Sequence, residues 1–342
     1  MRKHKKAYTI LLIAFVGLVF INLRSIIYGL QQGAGQAEVL WNAQEIDDLL
    51  ADPNFPDSTK QKFSYIAEVK AYSEEFLGLT QTENYSSFYD QKGKPILWVV
   101  TASPEFEIKA YEWSFPIAGS FPYKGSFDLE IAQGIQDEMI FKGYDTDLDE
   151  VNAWSTLGWF NDPILSSMLD RGPGSLAELI IHELMHATLY VKDSATFNEN
   201  LANFVGKLGA EEFLTYKFGD DSKELNDYVS SRIRRNAYKD YLRKAIEKLN
   251  SFYSNIDTPQ SLEKRRSLKQ LQIEEMKEAL FEINFFSDSL NGREWLNKIE
   301  FNNAYFSGFS TYSSDLPKLQ RQLDTEFQGD LKKMVTSFKT NL

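Results

Sequence analysis

The spacing of apolar residues changes character along the chain, and the changes mark out its elements. Ala7 to Ile21 is an almost unbroken apolar run. Between residues 36 and 90 the pattern turns helical: Val39, Leu40, Ile46, Leu49 and Leu50 recur at helical spacing, as do Phe63, Ile66, Val69 and Tyr72, with Pro53 and Pro56 between the groups. Lys94 to Thr101 is rich in β-branched and aromatic residues and predicts a strand. Glu105 to Tyr123 reads as extended and ends in the turn-rich Pro122-Tyr123-Lys124-Gly125. Ser126 to Lys142 predicts a helix closed by Gly143, and Asp147 to Gly158 a second strand. Beyond Pro173-Gly174 helical spacing dominates. Tyr238 to Phe252 and Leu262 to Phe285 predict an antiparallel hairpin across Asp257-Thr258-Pro259. There is no internal repeat. The expected fold class is α+β, a small mixed sheet among helices followed by a mostly helical C-terminal half. The expected divisions are residues 1–30 as an anchor, 31–90 as a helical part, 91–210 as the core and 211–342 as the helical end.

Arg2, Lys3, Lys5 and Lys6 precede the apolar run, which continues past Asn22 and Arg24 into Ser25-Ile26-Ile27-Tyr28. A signal-peptide core competes with an uncleaved anchor here. Asn22, Leu23 and Arg24 make a poor cleavage site, which favours a single transmembrane helix. The cation bias places the N-terminus in the cytoplasm and the remaining chain in a periplasm or outside the cell.

Composition narrows the chemistry. The net charge of −12 over 342 residues argues against nucleic acid as a partner. The absence of cysteine removes disulfides, thiol nucleophiles and thiolate metal sites. Only three histidines remain, His4, His182 and His186.

Two of them form His182-Glu183-Leu184-Met185-His186. Ser175-x-x-Glu178 reads as a capping box, so a helix is expected to begin near Ser175 and to carry both imidazoles on one side, a turn apart. That spacing suits a shared tetrahedral cation, with Glu183 placed to take a proton from a water at the open position. The flanking residues Leu179, Ile180, Ile181, Ala187, Thr188 and Leu189 are uncharged, and a buried helix with unpaired imidazoles is costly unless an ion satisfies them. A catalytic site needs a third protein ligand, which here must be Asp or Glu. Glu199 lies on a helix expected to begin after Lys192-Asp193-Ser194, packed on the first through Leu201, Phe204, Val205 and Leu208. Two alternatives stand beside it: Thr196-x-x-Glu199 as a capping box, and Asp193 as the ligand.

His182-Glu183-x-x-His186 followed by Asn198-Glu199-x-x-Ala202 resembles the gluzincin metallopeptidases, and the second half is similar to their zinc aminopeptidase branch. Longer stretches, Tyr28 to Trp41, Phe115 to Gly125, Ser155 to Pro163, Leu176 to His186 and Asn302-Asn303-Ala304, resemble a bacterial family of membrane or envelope zinc aminopeptidases. The resemblance implies a zincin-like metallopeptidase core, one Zn2+ per chain held by His182, His186 and Glu199, Glu183 as catalytic base, and a peptide substrate. Two departures stand out. The lipobox cysteine common in that family is absent, and Asn203 occupies the position where gluzincins often place an acidic residue behind a ligand histidine.

Hydrolysis also needs a donor to the oxyanion. With no histidine left, Tyr312 is the candidate, with Tyr305 as second choice. Asn152 to Gly158 is the expected edge strand for substrate backbone, and Asn161-Asp162-Pro163 reads as a turn. The cations from Arg232 to Lys248 read as a solvated helix face, with anionic headgroups as a second reading. The expected activity is a membrane-anchored zinc aminopeptidase. A catalytically silent tethered scaffold on the same fold, or an envelope endopeptidase using the same site, are the alternatives.

Overall fold

A computed structural model describes residues 23–115, 119–151, 161–192, 194–256, 261–282, 296–310 and 316–341. The run from Ala7 to Ile21, the Asn152–Gly158 segment, Asp193, the turn at 257–259 and Tyr312 lie outside the described residues.

The described chain is mixed α+β. It opens on helix α1 (Leu23–Asn42), followed by β1 (Gln44–Glu45), α2 (Ile46–Ala51) and α3 (Asp57–Phe76). The strand-bearing middle comprises β2 (Ser87–Tyr89), β3 (Leu97–Pro104), β4 (Trp113–Phe115), β5 (Gly119–Phe121), β6 (Lys124–Ser126), α4 (Leu129–Phe141), β7 (Tyr144–Val151) and β8 (Ile164–Leu165). A 3-10 turn (Ser166–Asp170) leads into α5 (Pro173–Thr188) and α6 (Ala195–Phe218). The rest is helical: α7 (Lys223–Asn255), α8 (Leu262–Glu282), α9 (Asn303–Ser310), α10 (Leu316–Glu326) and α11 (Leu331–Asn341).

β3 is central to an antiparallel sheet, paired with β6 on one side and with all of β7 on the other, Leu97 opposite Val151 and Pro104 opposite Tyr144. A second sheet joins distant segments, with β1 antiparallel to β2 and β2 parallel to β8. β1, β2 and β8 are two or three residues long, too short to show a period, and residues 36–90 therefore read as purely helical. Asp128 caps α4 by accepting from the N–H groups of Glu130 and Ile131, so that helix starts at Leu129 rather than Ser126, which is taken into β6.

Two apolar cores organise the fold. The larger packs Phe63, Ile66 and Val69 of α3 against Ile180, Ile181 and Leu184 of α5 and Leu201, Val205 and Phe213 of α6, closed by Met334 and Val335 of α11. The smaller joins Leu242, Ile246 and Leu249 of α7 to Ile273, Met276 and Leu280 of α8 and to Phe301 and Phe306. A buried polar knot ties the α7–α9 region to the β3–β7 sheet. Asn303, fully buried, donates its amide to the carbonyls of Pro104 and Glu105 and accepts from Tyr253 Oη at 2.7 Å. Lys269 Nζ meets Asp145 at 2.5 Å beside it, and Asp145 also accepts the Asn303 N–H. The Asn302-Asn303-Ala304 segment therefore joins layers.

α1 crosses the expected anchor boundary at residue 30 as one helix. Tyr28 holds it to the domain, stacked on Phe115 and donating to the Gly125 carbonyl at 2.6 Å. Leu23, Ile26, Ile27 and Leu30 on the same helix are exposed. No helix among the described residues is long and apolar enough to cross a membrane.

Candidate metal centre

α5 begins two residues before its expected start. Gly172 is the N-cap and Pro173 the first helical residue, where the ring pre-sets φ and the missing N–H costs no hydrogen bond. Ser175 makes no cap, and Glu178 is drawn to other partners, accepting from Arg235 Nη2 at 2.8 Å and Tyr228 Oη at 3.1 Å. The capping-box reading of Ser175 and Glu178 is corrected accordingly. Its apolar faces sink α5 into the larger core and leave His182 and His186 on the side toward α6.

Two features set α6 against α5. Gly206 lies so close that a Cβ there would stand 2.9 Å from the Glu178 carbonyl oxygen and 3.2 Å from His182 Cβ. Asn198, buried, fastens the loop between the helices, donating to the Val191 carbonyl at 2.8 Å and accepting its N–H at 2.9 Å. Thr196 lies inside the helix, whose N-cap position is Ser194, so the Thr196–Glu199 capping box does not form. Glu199 turns to the histidines instead.

His182 Nε2 and His186 Nε2 are 3.1 Å apart, and Glu199 approaches them at 3.7 Å through Oε2 and 3.3 Å through Oε1. Donors 2.0–2.2 Å from a tetrahedral zinc are separated by about 3.3–3.6 Å, so the three side chains stand close to the spacing of one face of such a site. Among the described residues this is the one group of three His or carboxylate side chains close enough to share an ion. Electrostatics suit the same task. Burial, reinforced by His186, lowers the His182 pKa to about 4, leaving a neutral ring at pH 7. Burial alone would raise the Glu199 pKa, but the His186 hydrogen bond and the two imidazoles bring it below the ordinary value, so the carboxylate is ionised. Two imidazoles and one carboxylate are the donor types a divalent ion of borderline softness selects. His186 Nδ1 is buried without a partner. Asn203 therefore does not hold it.

Glu183 is half-buried beside His182. Its charge reaches Tyr85, a buried residue with φ +66° whose N–H donates to the Asp162 carbonyl at 2.7 Å. Burial, aided by Glu183 and Asp162, keeps that phenol protonated by raising its pKa well above the usual value. Asp162 is itself buried, its N–H donating to Asn84, so Asn161–Pro163 docks the approach to β8. Tyr123, after β5, feels the charge of Glu199, and burial again raises its pKa. Tyr305 is elsewhere: its hydroxyl bonds Tyr238 at 2.8 Å and its ring packs on Phe301, so it is withdrawn as an oxyanion donor. Tyr85, Tyr123 and Asn198 escape sequence reading because their roles depend on the tertiary fold. Only the place of Asn198 beside Glu199 in the motif hinted at one of them.

A family model described as "Putative aminopeptidase" matches residues 27–340, and the chain belongs to that family. No curated protein matches the chain, and no solved structure does.

Proposed function

We propose that this member of the aminopeptidase family is a zinc-dependent enzyme of gluzincin type with a zincin-like core, removing N-terminal residues from peptides. What carries the reading is the meeting of His182, His186 and Glu199 at the spacing of a tetrahedral face, with Glu183 adjacent. These three residues would hold one Zn2+, which when bound supplies an acidified water and a polarised scissile carbonyl. The chain's own groups do the remainder. Glu183 accepts the proton of the attacking water on its carboxylate and returns it to the departing amine nitrogen. Neutral His182 keeps its lone pair for the cation, and ionised Glu199 balances the charge. A protonated phenol donates to the oxyanion. Tyr312 is the candidate from sequence, and Tyr123 is the one the fold adds. The basic and apolar N-terminal segment would tether the domain to a bilayer, facing outward.

The test uses full-length protein purified in detergent without chelator. About one zinc per chain is expected, lost in His186→Ala and kept in Glu183→Gln, which abolishes hydrolysis of fluorogenic amino-acid amides. Wild-type protein holding less than about 0.1 zinc per chain, unchanged by His186→Ala, overturns the reading. Turnover of N-blocked peptides in preference to free amino-acid amides would make it an endopeptidase.

A further inference from the structure

Two groups of exposed apolar side chains, far apart in sequence, lie toward the same end of the β3 sheet. One is on α1, where Leu23, Ile26, Ile27 and Leu30 are open; the other ends α4, where Ile140 is 54% and Phe141 92% exposed. Strand register fixes their common direction. Tyr28 donates to the Gly125 carbonyl, and Gly35 packs so closely on the Phe127 ring that no side chain would fit there. Gly125 pairs with Val99 and Ser126 with Trp98, so α1 runs toward the start of β3 and its first residues lie on the Pro104 side. α4 sets out from beside Phe127 and runs the opposite way, because the strand after it begins with Tyr144 opposite Pro104. Its 13 residues rise about 20 Å, and α1 rises about 18 Å from Gly35 back to Leu23.

A chain of half-buried rings joins the two groups. Tyr28 stacks on Phe115 at one end of β4, at 5.5 Å. At the other end Trp113 meets Tyr111 at 4.9 Å, and Tyr111 meets Tyr144, just beyond Phe141, at 5.3 Å. Cations stand at both ends of this belt. Lys124 Nζ lies 4.7 Å from the Tyr28 ring centre, and Lys142 follows Phe141 with its ammonium 2.6 Å from Glu138. Apolar tips, amphipathic rings and long cationic stems are what a protein presents to the headgroup region of a bilayer. The chain ahead of α1 says what covers this end. The apolar run Ala7–Ile21, with Arg2, Lys3, Lys5 and Lys6 before it, stops one residue short of Leu23. A bilayer that hosts the run therefore begins where α1 begins, and the Ile140–Phe141 end lies toward its surface.

Resting on the tether in the reading above, we infer that the domain docks on a phospholipid bilayer through this face. Ile140 and Phe141 insert below the headgroups, and the rings from Tyr28 to Tyr144 sit at headgroup level. The domain is then held against the membrane in one orientation rather than swinging on its tether.

The absence of cysteine allows a single label to be placed at will. Full-length Phe141→Cys, Leu23→Cys and Trp41→Cys proteins, each with the parent melting temperature, are labelled with an environment-sensitive fluorophore. They are reconstituted into phosphatidylcholine vesicles carrying nitroxide lipids of two acyl depths. Trp41, 90% exposed at the far end of α1, is the control. Labels at 23 and 141 are expected to emit at shorter wavelength and to be quenched, the one at 141 at about 5–10 Å below the headgroups. The label at 41 should stay in water, unquenched. A quenched label at 23 beside one at 141 as wet as that at 41 overturns the docking and leaves the tether standing. Equal quenching at 41 and 141 also overturns it. So does a label at 141 that shifts but escapes the nitroxides, since protein then covers it, either a second copy or the N-terminal run. Protein that fails to float with the vesicles overturns the tether and the docking together, while zinc content and turnover are read separately.

Discussion

Replacing Gly206 by alanine probes whether close packing of two helices builds the metal centre. The added Cβ would meet the Glu178 carbonyl oxygen at 2.9 Å and His182 Cβ and Cα at 3.2 and 3.4 Å. Ordinary carbon contacts lie near 3.5–4.0 Å, so α5 and α6 must part by about 0.5 Å. Alanine contributes about 1 kcal/mol of helix propensity, while overpacking a tight interface costs about 1–3 kcal/mol. The expected net loss is about 0–2 kcal/mol of stability. The larger effect falls on the centre, because Glu199 rides on the helix that moves and metal sites tolerate about 0.2 Å of ligand displacement. Zinc affinity should fall at least tenfold, about 1.4 kcal/mol, when measured by competition with a chromogenic chelator. Gly134 on α4, where an added methyl would find nothing within 4 Å, is the control. Gly134→Ala should raise stability by about 0.5–1 kcal/mol and leave zinc binding unchanged. If Gly206→Ala matches Gly134→Ala in both assays, the helices are not locked at this point and the packing argument fails.

Asn198→Ala removes both hydrogen bonds to Val191 and should cost about 1–2 kcal/mol in denaturant unfolding, with weaker zinc retention because the loop between the ligand helices loosens. Ser175→Ala should shift stability by less than about 0.5 kcal/mol, since the helix is started by Gly172 and Pro173; a loss near 1 kcal/mol would restore the capping box. Asp147 on β7 has its pKa raised to about 7, mainly by burial and next by Asp149. The folded state therefore holds a proton that the unfolded chain has released, and stability should fall as pH rises from about 4 to about 7. Asp147→Asn should flatten that fall and stabilise the protein at about pH 8 by about 1–2 kcal/mol after allowance for solvent screening, as read from thermal melts across pH. An unchanged pH profile in Asp147→Asn would refute the assignment.

Much of the helical framework could be read from periodicity, because a buried stripe repeats locally. Phe63, Ile66, Val69 and Tyr72 line the buried face of α3, and Leu201, Phe204 and Val205 that of α6. Mistakes arose where a local signal had a stronger rival. Pro173 displaced the Ser175 cap, and Asp128 took the start of α4 from Ser126. The basic face of α7 shows the same limit. Arg243 and Lys248 do sit on its exposed side, but Arg232 and Arg235 turn inward to Glu211 and Glu178, each on another helix. No periodicity reveals such a partner. Tyr305 failed for a similar reason, since its place in the sequence says nothing of the Tyr238 hydroxyl that occupies it.

By itself the sequence determined the donor types and their first spacing. With no cysteine and two usable histidines a turn apart, a third ligand had to be a carboxylate, and that follows from composition and helix pitch alone. Only the tertiary structure brings Glu199 to both rings, by letting Gly206 set α6 against α5 and by leaving the Thr196–Glu199 capping box unformed, while Asp193 lies outside the described residues. It also brings Tyr85 under the influence of Glu183 and Tyr123 under that of Glu199, from two separate regions of the chain. Ligand chemistry is local and written in residue identity, whereas convergence depends on how closely backbones can approach, which is settled when the whole core packs.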